Sequence, residues 1–381
     1  MKSILLRTLL LFASVLSACV AYIIFTGPPI DPQLKFIDTL SRAVFYVCGA
    51  QPGAKFSRKC LDLLSITAPT TETFSEDGIL TRDIEIKSFF EPNVSIPARL
   101  FQPAQSSKKN CQEEKLPLVI HYHGGGFTIG SGKIPTYDRT LRSMAKSSNN
   151  IILTVDYRLA PEHPHPAAVQ DAYSALLYID QLSKQQDKQF LSRVDFSKVI
   201  LLGDSAGAGL VYNMAFIKRD KKIPTKKGTE LEFITAPPLS IQLANQVLIY
   251  PSAREDTPSK KMHHAPLLSK QMLDFFFECY FGNLTMNDNN FYKNQFFYPL
   301  KSHTLKDLPP AIFVTAKYDP LRDDGVRMYE KYGEEGLKVW HRQYDTAHGF
   351  FFIPSVKDSS DAVDFVVDIW REEKLTGDYK C

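Results

Sequence analysis

The chain reads as an α/β protein with a mainly parallel central sheet, helices on both faces and a helical cap. Three observations predict this. Short apolar runs bounded by turn residues recur along the chain, the pattern of strands buried on both faces. Helix-length stretches separate them, and strands joined by helical crossovers lie parallel. The composition is that of a folded globule, with 44% hydrophobic and 23% charged residues in 381. Length alone gives a prior of roughly two domains, but one large α/β core with appendages uses as much chain.

In chain order, Lys2 and Arg7 precede an apolar run over 9–25. At ~1.5 Å rise per residue it spans roughly 26 Å, the short end of what crosses a bilayer. Residues 1–27 are expected to be a signal anchor, with the N-terminus in the cytoplasm and the rest of the chain across the membrane. The alternatives are a cleaved signal ending near Ser17-Ala18-Cys19, which would leave a secreted protein, or a buried core helix. Residues 28–75 mix turn signals (Pro28-Pro29, Asp31-Pro32, Gln51-Pro52-Gly53) with short apolar patches and predict cap or linker helices. The main domain is expected over 76–381. Residues 82–86 alternate polar and apolar, and 96–101 are expected to pair with them. Buried strands are expected at 116–120, 150–155, 199–202, 246–250 and 311–315, with helices over 166–182, 206–218, 323–332 and 360–374.

The 60 residues between Tyr250 and Ala311 far exceed a usual connection of about 2–6, so a cap insertion is expected at about 252–308. It holds ten aromatic residues between Phe275 and Tyr298. They read as a packed helical pair, as a lid lining an apolar pocket, or as both. Charge nearly balances, 45 basic against 42 acidic residues for a net +3, which argues against a nucleic-acid partner. The six cysteines (Cys19, Cys48, Cys60, Cys111, Cys279, Cys381) are widely spaced and exclude a C-x-x-C zinc site, leaving room for one or two disulfides. Asn93 and Asn283 begin glycosylation sequons. Lysines from Lys218 to Lys227 predict a solvated loop, with attraction to anionic lipid as the lesser reading.

The chemistry concentrates in three places. Gly203-Asp204-Ser205-Ala206-Gly207 follows an apolar strand and opens a helix, the context in which a strained turn exposes a nucleophilic serine. His123-Gly124-Gly125-Gly126 closes another strand, and its glycines let backbone amides converge as an oxyanion hole requires. No Gly-Lys-Ser/Thr follows, which removes a phosphate cradle. His123 is read as orienting this loop. Asp319 and His348 follow later strands, giving the chain order Ser, Asp, His. A free hydroxyl is barely nucleophilic, so Ser205 needs His348 as base, and Asp319 would fix the imidazole tautomer. Asp323, Asp324 and Asp345 are rival acids, expected to cap helices or to be solvated. His121-x-His123 and His163-x-His165 have a spacing seen at metal sites, but no acidic or cysteine partner completes either, so no metal is expected.

These motifs, together with Asp156-Tyr157-Arg158-Leu159-Ala160-Pro161-Glu162, Asp319-Pro320-Leu321 and His348-Gly349-Phe350, make the chain similar to the hormone-sensitive-lipase-like branch of the α/β-hydrolases over about residues 80–375. Within that branch it resembles the arylacetamide deacetylase type. The resemblance implies an α/β-hydrolase fold with Ser205, Asp319 and His348 catalytic, and the amides of Gly125, Gly126 and Ala206 as oxyanion donors. His123 and Gly124 complete the loop motif, and the Asp156 to Glu162 stretch is scaffold. It implies hydrolysis of short to medium carboxylic esters without a cofactor, with aryl amides and steryl or glyceryl esters as further candidates. Joined to the anchor, it implies a type II protein of the endoplasmic reticulum membrane with a lumenal catalytic domain. The alternatives are a non-catalytic ligand-binding protein on this scaffold, as the gibberellin receptor is, and an amidase or acyltransferase using the same triad.

Overall fold

The computed structural model describes residues 30–53, 57–62, 67, 77–104, 115–185, 192–227, 230–262, 265–282 and 294–377. The described chain enters through α1 (Pro32–Val47) and α2 (Arg58–Leu61), then makes β1 (Ile79–Lys87), β2 (Ser95–Pro103) and β3 (Leu116–Tyr122). Next come α3 (Pro135–Ser148), β4 (Ile151–Val155), α4 (Ala167–Lys184), β5 (Val194–Asp204) and α5 (Ala206–Asp220). The hairpin β6 (Lys222–Lys227) and β7 (Glu230–Thr235) precedes β8 (Leu243–Ile249) and α6 (Lys270–Phe281). The chain closes with β9 (Ala311–Tyr318), α7 (Arg322–Glu334), β10 (Val339–Ala347) and α8 (Lys357–Glu372).

Eight strands form one sheet in the order β1-β2-β4-β3-β5-β8-β9-β10. The pairs β1–β2 and β2–β4 are antiparallel, and all later neighbours are parallel. Strands β3 and β4 are buried at every position, as their unbroken apolar runs require. One face packs against α4 and α5 through residues such as Val169, Leu176 and Leu210. The other packs against α3 and α8 through Leu141, Met144, Val366 and Trp370. Chain order reverses between β3 and β5, and a crevice outside the carboxyl ends of strands forms where such a reversal occurs.

Two elements depart from the sequence expectation. Helix α3 was not anticipated, because its polar composition hides an apolar stripe of only Leu141, Met144 and Ala145, spaced three and four residues along one helix face. The lysine-rich stretch expected to be a solvated loop is split between the end of α5 and the ribbon β6–β7, which buries Ile223 and stacks Phe233 on Phe296 at 5.3 Å.

Helices α1 and α6, distant in sequence, meet above the carboxyl ends of the strands. The Phe45 ring lies edge-on to Phe275 and Phe276 at 6.3 and 5.8 Å. The Leu267 amide donates to the Asp38 carboxylate at 2.7 Å, and Arg42 donates to the Ala265 carbonyl at 2.6 Å. A Cys48–Cys60 disulfide ties α1 to α2, from which Arg58 reaches Glu162 at 2.6 Å. Cys279 is free and buried; Cys19, Cys111 and Cys381 lie outside the described residues.

The expected membrane placement is corrected. Among the described residues no helix is long and apolar enough to cross a membrane. The longest, the 18-residue α4, carries Asp171 and Asp180 and spends its apolar surface on the sheet. The 9–25 run and the Asn283 sequon lie outside the described residues, while Asn93 is exposed.

Candidate active site

Strand β5 ends at Asp204, and the next residue turns the chain straight into α5. Ser205 sits at φ 53°, ψ −117°, a left-handed backbone that costs a non-glycine residue about 1–3 kcal/mol. Its amide donates to the Ile249 carbonyl at 2.9 Å, fixing the turn against β8. A Cβ on Gly207 would lie 1.9 Å from the Tyr122 carbonyl oxygen, so only glycine lets α5 start this close to the end of β3.

The turn brings the three separated residues together. His348, at the end of β10, has Nε2 3.0 Å from Ser205 Oγ and Nδ1 2.8 Å from Asp319 Oδ2. Asp319 is fully buried, and its other oxygen accepts from the Leu321 amide at 2.8 Å. A carboxylate on Nδ1 keeps the proton there, which leaves the Nε2 lone pair facing the serine hydroxyl. Tyr250 packs its ring 4.5 Å from the imidazole and limits its rotation.

The glycine loop is held by a polar network. His123 Nδ1–H donates to the Gly124 carbonyl at 2.7 Å, and its ring stacks on Tyr157 at 4.4 Å. The Tyr157 hydroxyl donates to the His123 carbonyl at 2.6 Å. The Gly124 amide donates to Asp204 Oδ1 at 2.9 Å, and the Tyr137 hydroxyl donates to Oδ2 at 2.7 Å. Burial pushes the Tyr137 and Tyr157 phenols well above their ordinary values, so both remain donors. The amides of Gly125, Gly126 and Ala206 make no hydrogen bond with another described residue. Asp204 and Tyr137 were not singled out from the sequence. Asp204 occupies the variable second position of its pentapeptide, and Tyr137 lies on the unanticipated α3.

The other candidates fall elsewhere. His121 is buried with Nδ1 2.8 Å from Thr154 Oγ1, and His165 is buried 2.9 Å from the Tyr280 hydroxyl. Burial holds both imidazoles below their ordinary values. Among the described residues no group of three side chains is gathered to hold a metal. Asp323 accepts from the Ser259 amide at 2.8 Å, and exposed Asp345 pairs with Lys317 at 2.8 Å. Asp324 is neither a cap nor solvated. It is fully buried, accepts from the Ala253 and Arg254 amides at 2.9 and 3.0 Å, and pairs with Lys260 at 2.9 Å. Asp156 and Arg158 are tied up within the scaffold, as the resemblance implied.

A cavity of about 190 Å³ opens over Ser205 and His348, bounded by Gly125 and Gly126 below and by Met272, Leu273 and Phe276 of α6 above. Of the aromatic residues of the insertion, Phe276 and Phe277 line it. Phe275, Tyr280, Phe281 and Phe297 are packing residues, with Tyr280 stacked on Phe127 at 3.9 Å. Phe291 and Tyr292 lie outside the described residues.

Comparison with known proteins agrees with this architecture. Residues 119–352 match the Abhydrolase_3 family, described as alpha/beta hydrolase fold. The chain belongs to that family. Over 315 residues, 82% of this hydrolase and 85% of the relative, it is 31% identical to carboxylesterase NlhH of Mycobacterium tuberculosis. It is 28% identical to an arylesterase of Saccharolobus solfataricus over 86% of this chain and 94% of the relative. An esterase of Pyrobaculum calidifontis superimposes on it with a TM-score of 0.66 at 28% identity, covering 91% of this chain and all of the other. The chain is a carboxylic ester hydrolase. With relatives of this kind and no described spanning helix, the hydrolase does not keep its expected place in the endoplasmic reticulum membrane.

Proposed function

We propose that Ser205 is the nucleophile of this esterase, His348 its general base and acid, and Asp319 the group that orients and stabilises the imidazole. The observation that carries the reading is the unbroken line from Asp319 through His348 to Ser205, at 2.8 and 3.0 Å, opening into the cavity. Ser205 Oγ attacks the ester carbonyl carbon while its proton passes to His348 Nε2. The developing oxyanion is held by the amides of Gly125, Gly126 and Ala206. Nε2 then protonates the departing alcohol, and water repeats the sequence to release the acid.

Helices α1, α2 and α6 act as a cap over this site. The cavity is small, about 190 Å³, which favours short to medium acyl chains and suits the arylacetamide deacetylase type. Each methylene buried contributes about 0.8 kcal/mol until the cavity is full. A fluorophosphonate probe should label the wild-type chain and leave Ser205→Ala unlabelled. Catalytic efficiency on p-nitrophenyl esters should rise from acetate to butyrate or hexanoate and fall at palmitate, with no jump at the solubility limit. Labelling that survives in Ser205→Ala overturns the nucleophile; a steady rise to palmitate overturns the closed cap.

A further inference from the structure

Arg254 lines the same cavity as Ser205 and His348, yet the reaction above gives it no task. It follows β8 in a left-handed conformation at φ 57°. Its amide is held by Asp324, whose ion-pair partner is Lys260. The guanidinium lies over the rings of Phe281 and Phe277 at 4.3 and 4.9 Å, with Phe297 and Tyr280 at 5.7 and 5.8 Å. Among the described residues no carboxylate pairs with it and no oxygen accepts a hydrogen bond from it. Aromatic faces attract a cation but accept none of its in-plane N–H bonds. Burial lowers its affinity for the proton, but arginine keeps its charge throughout the range in which proteins fold.

A fixed cation whose five donors meet no acceptor among the described residues, beside the proposed ester site, has a definite chemical complement. A carboxylate accepts two parallel N–H bonds from the guanidinium fork. A neutral ester arm placed there leaves those donors unmatched. We propose that Arg254 is a specificity-determining residue that binds a carboxylate on one arm of the ester, so that this enzyme takes half-esters or other acidic esters. The inference rests on the reading of the cavity as the ester site.

The test uses matched acidic and neutral esters at fixed ionic strength. On the acyl arm, p-nitrophenyl hemiglutarate is compared with p-nitrophenyl hexanoate; on the alcohol arm, 4-carboxyphenyl butyrate is compared with 4-methylphenyl butyrate. In Arg254→Gln the acidic-to-neutral ratio of kcat/KM should fall at least about tenfold for one pair, which also assigns the arm. Arg254→Lys should fall between, since lysine keeps the charge without the fork. Calorimetry on the wild-type chain should show glutarate binding at least about tenfold more tightly than glutaramide, a measurement that needs neither turnover nor a folded variant. Unchanged ratios in both variants, or equal binding of glutarate and glutaramide, overturn the proposal. Absent turnover of every ester, acidic and neutral, by the wild-type chain counts against the esterase site instead, and the calorimetry still decides Arg254.

Discussion

The turn at Ser205 and the helical layer above it solve opposite problems by opposite means. At the turn, backbone meets backbone. The Ser205 amide is bonded to Ile249, Gly207 rides on the Tyr122 carbonyl, and the buried Asp204 carboxylate grips the glycine loop. In the helical layer, rings meet rings. Phe45, Phe275 and Phe276 pack edge to face, and few backbone hydrogen bonds cross between α1 and α6. A site assembled from backbone contacts tolerates almost no displacement, whereas a cover assembled from side chains can repack. On the proposed mechanism the reacting groups sit on the first and the variable part of the substrate under the second.

Three measurements bear on that contrast. The largest effect is expected from Gly207→Ala, whose new methyl meets a strand carbonyl that cannot move. Displacing Ser205 and the Ala206 amide together should lower kcat/KM about 1000-fold, and no second-site side-chain change should restore it. In Gly126→Ala the new Cβ meets the Phe276 ring at 2.2 Å, with φ at 61° adding strain. Here a loss of about tenfold is expected, and Phe276→Ala in the same chain should recover part of it. If Phe276→Ala rescues nothing, the layer is as rigid as the turn. The smallest effect concerns Asp180 on α4, which accepts from Ser240 Oγ at 2.7 Å and the Ile241 amide at 3.0 Å just before β8, away from the site. Burial opposes its ionisation, but hydrogen bonds from Lys184, Ser240 and Ile241 prevail, and the carboxyl is held below its ordinary value. A depressed folded value means the stabilisation is complete above the unfolded pKa of about 4 and fades as pH falls through the lower folded value. Unfolding free energies from urea titration of Asp180→Asn should therefore lie about 1 kcal/mol below wild type at pH 7, with the gap narrowing as pH falls below about 4.

The same contrast governs what could be read from the sequence. Short-range backbone constraints leave local marks: glycines at 124–126, 203 and 207 and apolar runs before them are visible without a structure, and the strands and the turn at Ser205 followed from them. Long-range side-chain agreements leave none. Nothing local ties Phe45 to Phe276 or sends Arg58 to Glu162. Asp324 looks like any helix-start acid until the loop at 253–254 is seen to hang from it. Helix α3 was hidden for another reason, since three apolar positions in fourteen residues fall below any useful periodic signal.

One of those long-range agreements has a dynamic consequence. The Cys48–Cys60 bridge joins α1 to α2, and Arg58 of α2 is hydrogen-bonded to the Thr128 carbonyl beside the glycine loop as well as to Glu162. That bridge couples α1 to α2 in local unfolding, and lifting the pair breaks the Arg58 bond to the stretch that follows Gly126. On the proposed mechanism, opening wide enough to disperse the cover would thus loosen the amides assigned to the oxyanion, which favours entry of substrate by side-chain rearrangement within α6. Hydrogen exchange should find the α1, α2 and 125–130 amides opening together, with one shared free energy.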